Sequence, residues 1–247
     1  MAKRERLDKV LGNLGVGTRK EIKDYCKKGR IRVNGEIEKD SSAHVNPEED
    51  TFMFDGVEVE YKKYLYLMMH KPQGVLSATK DGRTRTVIDI LEPEDKVFEP
   101  FPVGRLDIDT EGLLLLTDDG QMAHRLLSPK KHVDKIYLAH VDGSLSEEDI
   151  KAFAEGITFL DDGYKCLPAE LEIVESKEDE SKALVTIREG KYHQVKRMFE
   201  ARNRTVTYLK RLSMGSLQLD EDLELGQYRE LTDEEIKELK ELTKMED

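Results

Sequence analysis

The sequence predicts an α+β protein in which a small helical and hairpin module precedes a larger domain with a mixed, mostly antiparallel β-sheet and flanking helices. In the larger region, strand-like segments outnumber helical ones and rarely alternate strictly with them. In the first sixty residues, two short amphipathic helices come before an Asn-Gly turn between strand-like pieces. The predicted domains are 1–60 and 64–235, and residues 236–247 are predicted to be a charged helix end or tail.

Length and composition narrow the class of protein. A chain of 247 residues is long enough for one ordinary domain plus a small module. The longest apolar runs, "YLYLMM" and "LLLL", are too short to cross a bilayer, and "MAKRERLDKV" lacks the apolar core of a signal peptide. Cys26 and Cys166 lie far apart without a CxxC pattern, which argues against a zinc site. These features predict a cytoplasmic protein without a membrane segment.

The charge is distributed unevenly along the chain. Residues 1–35 contain eleven Lys/Arg and four Asp/Glu, a balance of +7, whereas the whole chain carries −12. The remainder therefore carries −19. Clustered positive charge is typical of a nucleic-acid contact, because phosphates respond to the local patch and not to the global sum. Charge alone leaves a second interpretation open, in which these residues are only a solvated helical surface.

The elements of the module follow in order. The apolar spacing of "RLDKVLGNL" predicts a first helix, and "GVGT" predicts a turn. Thr18 and Glu21 form a T-x-x-E capping box that opens a second helix, which runs to about Lys28 and stops at Gly29. One face of this helix is basic and carries Arg19, Lys20, Lys23 and Lys27. The hairpins "IRVNGEI" and "FMFDGVEVE" complete the module near Glu60.

The larger domain begins after the linker "YKKY". "YLYLMMHKPQG" reads as a buried strand ended by Pro72 and Gly74, and "GLLLLT" as a strand buried on both faces. The other predicted strands are "DKIYLAHVDG", "AELEIVES", "KALVTIREG", "TVTYLKRL" and "SLQL". The predicted helices are "TVIDIL" (or a turn), "GQMAHRLLSP" up to Pro129, "EEDIKAFAEG" with a cap at Ser146, "KYHQVKRMFEAR", and "TDEEIKELKEL" with a cap at Thr232.

The stretch "GRLDIDTEGLLLLTDDG" concentrates carboxylates before a very apolar run. Its acids fit the calcium-loop spacing only in part. The twelfth position is Asp118 where the loop needs a bidentate Glu, and the ninth is Leu115 where a polar group belongs. The preceding "EPFPVG" cannot be an entering helix. A metal loop is therefore a poor interpretation, and a turn that feeds a buried strand or a catalytic carboxylate at a cleft remains.

Two resemblances cover most of the chain. "RLDKVLGNLGVGTRKEIKDYCKKGRIRVNGE" resembles the αL RNA-binding motif, named for a small-subunit ribosomal protein, over roughly the first sixty residues. "HKPQG", "GRLDIDTEGLLLLTDDG", "KIY" and "REGKYHQVKRMFEA", in that order, resemble the pseudouridine synthases that modify ribosomal RNA and carry the same basic module. This second resemblance extends to about residue 235.

The resemblance implies a role for each matching residue. It implies that Asp107, the aspartate of G-R-L-D, is the essential catalytic carboxylate and that Arg105 helps to hold the flipped nucleotide or its neighbours. Tyr137 in "KIY" would stack on the target uracil. Lys196 would pair with Asp107; many relatives have arginine there, and a lysine replaces a bidentate fork by a point charge. His193 is expected to have a structural hydrogen-bonding role.

The resemblance also implies the reaction and the partner. The expected activity is isomerisation of a uridine in 16S rRNA by a monomer that needs no cofactor and no metal, with rRNA or the pre-ribosomal small subunit as partner. Arg19, Lys20, Lys23 and Lys27 are the expected RNA contacts of the module. A 23S rRNA enzyme and a non-catalytic rRNA-binding assembly factor are the alternatives. Attack by Asp107 at C1′ and at C6 are both open.

Overall fold

The computed structural model describes residues 4–128 and 131–245, and the chain divides into two compact units. The first unit is Met1–Leu65 with Leu91–Pro100, and the second is Tyr66–Ile90 with Phe101–Asp247. Within the described residues, no helix has both the length and the apolar character that a membrane span requires.

Short strands and helices make up both units. The strands are β1 (Glu5–Arg6), β2 (Ile31–Val33), β3 (Glu36–Ile37), β4 (His44–Val45), β5 (Phe52–Phe54), β6 (Val57–Val59), β7 (Tyr66–Lys71), β8 (Phe101–Pro102), β9 (Glu111–Thr117), β10 (Lys135–Asp142), β11 (Glu170–Ser176), β12 (Glu180–Ile187), β13 (Val206–Met214), β14 (Leu217–Gln218) and β15 (Tyr228–Glu230). The helices are α1 (Leu7–Asn13), α2 (Arg19–Lys27), α3 (Val87–Ile90), α4 (Pro93–Lys96), α5 (Gly120–Leu127), α6 (Glu147–Glu155), α7 (Gln194–Glu200) and α8 (Asp233–Thr243).

The first unit is built around the paired helices α1 and α2. The predicted capping box is present: Glu21 N donates to Thr18 Oγ1 at 3.3 Å, and Thr18 N donates to the Glu21 carboxylate at 2.8 Å. The sheet β3-β2-β5-β6 adds its apolar side to the same core. That core consists of Leu7, Val10, Leu11, Ile22, Cys26, Ile31, Val45 and Phe52. Burial of α2 on Ile22 and Cys26 leaves its basic residues on the opposite, exposed side.

The second unit is a mixed sheet in the order β11-β12-β10-β13-β9-β7-β15, with β14 beside β13 and β8 beside β9. Every pairing is antiparallel except that of β9 with β13, which is parallel. The predicted α+β class with a mostly antiparallel sheet is therefore confirmed. The four leucines of β9 are fully buried, and Leu113 and Leu115 pack in the core that includes Met122 of α5 and Leu239 of α8.

Parts of the architecture lie outside the sequence prediction. Leu91–Pro100, which contains α4, belongs to the first unit although it lies between segments of the second. The strand β15 pairs with β7 and was not predicted. The helix α8 is more than a charged tail, since Leu239 is fully buried in the core of the second unit. Pro129, the predicted end of α5, lies outside the described residues, and α5 ends at Leu127.

The parallel contact between β9 and β13 requires a glycine at its start. Gly112 has φ +108°, and a Cβ added there would lie 2.2 Å from the carbonyl oxygen of Arg211 and 2.6 Å from its nitrogen. These are backbone atoms, so no rotamer change can relieve the clash. The close approach of the two strands therefore depends on the missing side chain.

We expect Gly112→Ala to lower the free energy of unfolding by about 3 kcal/mol or more, because both the backbone angle and the strand contact are incompatible with alanine. Gly120→Ala is the matched control, since no atom lies within 4 Å of its added Cβ and its φ is negative in the first turn of α5. The control should change stability by less than about 1 kcal/mol. Urea unfolding of the full chain measures both, and equal stabilities would contradict the prediction.

Candidate functional site

The loop between β8 and β9 holds Asp107 in a fixed backbone position. Ser77 Oγ donates to the carbonyl of Leu106 at 2.9 Å, and Leu106 N donates back to Ser77 Oγ at 3.0 Å. From β7, Lys71 Nζ donates to the carbonyls of Asp107 at 3.1 Å and Thr110 at 3.0 Å. The main chain on either side of the Asp107 carboxylate is therefore tied to two neighbouring segments of the second unit.

Lys71 is the residue of this site that the sequence analysis missed. Its side chain is fully buried, and its Nζ also donates to the carbonyl of Pro72 at 2.9 Å. Burial lowers the pKa of Lys71 to about 8, although the nearby carboxylate of Asp107 acts in the opposite direction. Three acceptors match the three N–H groups of an ammonium. The signal in the sequence was a lysine at the end of an otherwise apolar strand, in "MMHKP".

The side chain of Lys196 reaches two carboxylates from α7. Its Nζ lies 3.1 Å from Asp107 Oδ2 and 2.6 Å from Asp109 Oδ1. The expected contact with Asp107 is present, but the ammonium also contacts Asp109, to which the sequence analysis assigned no role. A single ammonium can serve both acids because it has three donors and no fixed plane.

The contact between Lys196 and Asp109 shifts the pKa of both groups. Burial disfavours the charged form of Asp109, but the hydrogen bond and charge of Lys196 outweigh it and hold the pKa of Asp109 below its usual range. For Lys196, burial acts to lower the pKa, and the hydrogen bonds from Asp109 and Asp107 raise it above the ordinary lysine value. The cation therefore stays charged at neutral pH.

Tyr137 and Arg105 line the same small cavity as Asp107. The cavity has a volume of about 70 Å³, and its wall includes Ile187, Val195 and Leu209. Tyr137 lies on β10 and is 7% exposed, whereas Arg105 precedes Asp107 in the loop and is exposed. His193 also lines this cavity, and its Nε2 lies 3.5 Å from Asp107 Oδ1. The structure thus brings Asp107, Tyr137 and Arg105 to one concavity, and Lys196, which does not line it, contacts Asp107 from α7.

The predicted RNA contacts of the first unit lie on α2. All four are exposed: Arg19, Lys20, Lys23 and Lys27. Lys23 is three or four residues from each of the other three, so the four lie on one side of the helix. A larger groove of about 460 Å³ in this unit is lined in part by Arg19 and Lys9. It contains no arrangement of a carboxylate, a cation and a buried tyrosine like that at Asp107, so we assign chemistry to the smaller cavity.

The carboxylates of the loop are not arranged as a metal site. Asp107 and Asp109 both contact Lys196, and Glu111 accepts a hydrogen bond from Tyr208 at 2.8 Å. Among residues 4–128 and 131–245, no three or more His, Cys, Asp or Glu side chains are grouped so as to hold a metal ion. A carboxylate beside a fixed cation can act instead as a nucleophile or stabilise positive charge on a substrate.

Comparison with known proteins identifies two families along the chain. Residues 65–201 match the RNA pseudouridylate synthase family, and residues 5–51 match the S4 domain. A crystal structure of a pseudouridylate synthase superposes with a TM-score of 0.67 at 37% sequence identity, covering 95% of this chain and 99% of the other. Both matches lie within the two regions that the sequence resemblances indicate.

Named relatives match over nearly their whole length. An uncharacterized RNA pseudouridine synthase of Bacillus subtilis is 53% identical over 94% of this chain and 96% of its own. Ribosomal small subunit pseudouridine synthase A of Vibrio vulnificus is 41% identical over 94% of this chain and 97% of its own. Ribosomal large subunit pseudouridine synthase B of Bacillus subtilis is 38% identical over 96% of each chain.

We expect Lys196→Met to raise the pKa of Asp109, because the variant removes the cation that holds this carboxylate ionised. Ionised Asp109 stabilises the folded protein above its unfolded pKa, and this stabilisation is lost as the pH falls through its lower folded pKa. In the variant, the free energy of unfolding should therefore depend less on pH in this acidic range. A ¹³C NMR titration of the aspartate carboxyls measures the pKa, with Asp109→Asn to assign the signal.

Lys191→Met is the matched control for this titration. Lys191 is five residues before Lys196 in the chain, but its Nζ lies over the ring of Tyr164, 4.4 Å from the centroid. The control should leave the pKa of Asp109 where it is in the wild type. An unchanged Asp109 pKa in Lys196→Met would show that the ion pair does not stabilise the ionised form of Asp109.

Proposed function

Since the chain belongs to the RNA pseudouridylate synthase family, we propose that it isomerises a specific uridine of 16S rRNA to pseudouridine and that Asp107 is the essential catalytic carboxylate. The observation that carries this assignment is the geometry around Asp107. Its carboxylate is half-buried in a cavity, 3.1 Å from the Lys196 ammonium, and Tyr137 forms part of the same wall. The backbone of the Asp107 loop is held by Lys71 and Ser77.

Each of these side chains has a role in the isomerisation of uridine. The N1–C1′ bond of uridine breaks and a C1′–C5 bond forms, while the proton on C5 is lost and N1 gains one, so the composition does not change. The Asp107 carboxylate adds to the nucleotide or stabilises its positive charge, as carboxylates do in glycosidases. The Lys196 ammonium places a positive charge 3.1 Å from the Asp107 carboxylate. The detached uracil must turn without escaping, and the Tyr137 ring provides a surface against which it is held.

The target has to leave its stack before Asp107 can reach it. Arg105 is exposed at the mouth of the cavity, two residues before Asp107. We assign to it the contact with the flipped nucleotide or the phosphates beside it. An arginine at this point offers five donors to phosphate or base oxygens.

Ribosomal RNA is the proposed substrate, in the cytoplasm, either free or in a pre-ribosomal particle. The relative named for the small subunit is 41% identical to this chain, and the S4 match over residues 5–51 supports a role for the basic α2 in RNA binding. "HQVK" around Lys196 favours the small-subunit type. The relative named for the large subunit, at 38% identity, makes 23S rRNA the second candidate.

We expect cells that lack this gene to lose one pseudouridine from 16S rRNA and to regain it with the wild-type gene. Asp107→Asn should not restore it, because a neutral amide is a much poorer nucleophile and stabilises positive charge poorly. The purified variant should bind rRNA with nearly wild-type affinity. Pseudouridine mapping of both 16S and 23S rRNA provides the readout, and a loss confined to 23S rRNA would move the assignment to the large subunit.

Asp109→Asn is the matched control. Asp109 contacts the same Lys196 ammonium, and its carboxylate is 63% exposed. It should retain most of the turnover, since the proposed chemistry takes place on Asp107 alone. An Asp107→Asn variant with near-normal turnover would remove Asp107 from the mechanism and would leave a non-catalytic rRNA-binding role to be considered.

We expect Lys23→Gln with Lys27→Gln to weaken rRNA binding and to flatten its salt dependence. Each phosphate contact that is lost lowers the slope of log K against log salt by about 0.7 to 0.9. The full chain is used, because Leu91–Pro100 belongs to the first unit and a deletion of residues 1–60 would break that unit. The control pair, Lys151→Gln with Lys237→Gln, changes the net charge equally on α6 and α8 of the second unit. Equal slopes for the two double variants would show that the face of α2 is only a solvated surface.

A further inference from the structure

Tyr192 exposes an aromatic ring at the edge of the candidate site. It is 75% exposed, more than any other large hydrophobic residue in the described parts of the chain. Its ring stacks on the imidazole of His193, with centroids 3.8 Å apart and planes 18° from parallel. Because His193 covers one face, the opposite face of the Tyr192 ring must account for much of the exposure.

The stacked pair connects this open face to the reacting carboxylate. His193 lines the cavity, and its Nε2 lies 3.5 Å from Asp107 Oδ1, while its ring face is in contact with Tyr192. Tyr192 is therefore separated from Asp107 by a single side chain. A planar group on the open face of Tyr192 would extend the stack away from the cavity in which the target uridine is held.

Buried polar contacts hold the pair in position. Lys191 N donates to Gln194 Oε1 at 2.9 Å, and Gln194 Nε2 donates to Glu189 Oε1 at 3.0 Å; Gln194 and Glu189 are both buried. Arg197 Nη1 donates to the carbonyl of Tyr192 at 3.3 Å. The backbone around Tyr192 is therefore held by hydrogen bonds on both sides of it, and the ring itself is held by its stack on His193.

His193 adopts a backbone conformation that favours glycine. Its φ of 50° lies in the left-handed region, which costs a residue other than glycine about 1 kcal/mol. The residue stands directly before α7, and its carbonyl accepts the hydrogen bond of Arg197 N at 2.9 Å. This turn directs the His193 imidazole toward Asp107 and leaves Tyr192 on the outer side of it.

We propose that the open face of Tyr192 stacks on the base adjacent to the target uridine in the RNA strand. The inference rests on the proposed function, and it adds a binding subsite outside the cavity of Asp107. When the uridine leaves the helix, the base next to it loses a stacking partner. A tyrosine ring replaces that partner without selecting one base, because every base offers a π-face.

A different role for Tyr192 would be to cover His193 and keep its imidazole in place. Three variants separate the two roles. Tyr192→Phe keeps the ring, Tyr192→Leu keeps an apolar cover over His193 but no aromatic face, and Tyr192→Ala removes both. If Tyr192 stacks on a base, Tyr192→Leu should lose as much RNA affinity as Tyr192→Ala. If Tyr192 only covers His193, Tyr192→Leu should keep the wild-type affinity.

The test is single-turnover pseudouridine formation on unmodified 16S rRNA transcript with the full-length enzyme in excess. We expect Tyr192→Ala and Tyr192→Leu to raise the enzyme concentration at half-maximal rate about tenfold, which corresponds to about 1.4 kcal/mol and lies within the range for one base–aromatic stack. The rate at saturating enzyme should fall at most about threefold. Tyr192→Phe should recover most of the affinity. Val174→Ala, at a 57% exposed apolar residue on β11, is the control for loss of exposed apolar surface.

A second measurement reports the stack itself. A short RNA around the mapped uridine carries 2-aminopurine as the neighbouring base, and binding of wild-type enzyme should quench its emission while Tyr192→Ala should not. Unchanged half-maximal concentrations in Tyr192→Ala, a wild-type-like Tyr192→Leu, or equal quenching by wild type and Tyr192→Ala would each overturn the proposal. Failure of the proposed function is distinguishable, since the wild-type enzyme would then form no pseudouridine in either rRNA.

Discussion

A buried ammonium fixes the geometry on which the rest of the site depends. Lys71 ends an apolar strand, and its Nζ is surrounded by the carbonyls of Pro72, Asp107 and Thr110. An uncompensated charge in the interior would be strongly unfavourable, so the loop must bring these carbonyls together when the strand is buried. The hydrophobic collapse of β7 and the shape of the loop at Asp107 are therefore coupled. The orientation of one carboxylate follows from the packing of the central sheet.

The second constraint is electrostatic. The chain carries a large negative net charge, yet its proposed substrate is a polyanion. Near Asp107 the cations Lys196, Lys71 and Arg105 counteract two local carboxylates, and the basic face of α2 lies in the first unit. A negatively charged surface disfavours the approach of a polyanion, so the proposed substrate is expected to approach the basic regions.

Much of the fold was accessible from sequence because local chemistry and tertiary packing agree there. The capping box at Thr18, the alternation along β10 to β13 and the leucine run of β9 each predict the element that forms. The residues that escaped prediction are those whose role depends on distant partners. Lys71 looks like an exposed cation until three carbonyls are found around it, and Asp109 looks like a turn residue until Lys196 reaches it from α7. The requirement for glycine at position 112 becomes visible only when β13 is placed beside β9, because a Cβ would then clash with the backbone of Arg211. The roles of Asp107, Tyr137, Lys196 and Arg105 came from a resemblance, since no spacing rule links residues so far apart in sequence.

Because Leu91–Pro100 packs in the first unit, that unit is not continuous in sequence, and this affects how it could be exchanged by recombination. A module that is continuous in sequence can be exchanged between genes by one crossover, and its new host need only supply a linker. Here the first unit is assembled from two segments that enclose β7 and α3 of the second. A recombination event that replaced only the N-terminal segment would pair it with a foreign α4 segment, in which Val97 has to fit beside Gly15. Replacement of the N-terminal segment alone would therefore leave the packing of Val97 against Gly15 to be restored by changes in the Leu91–Pro100 segment.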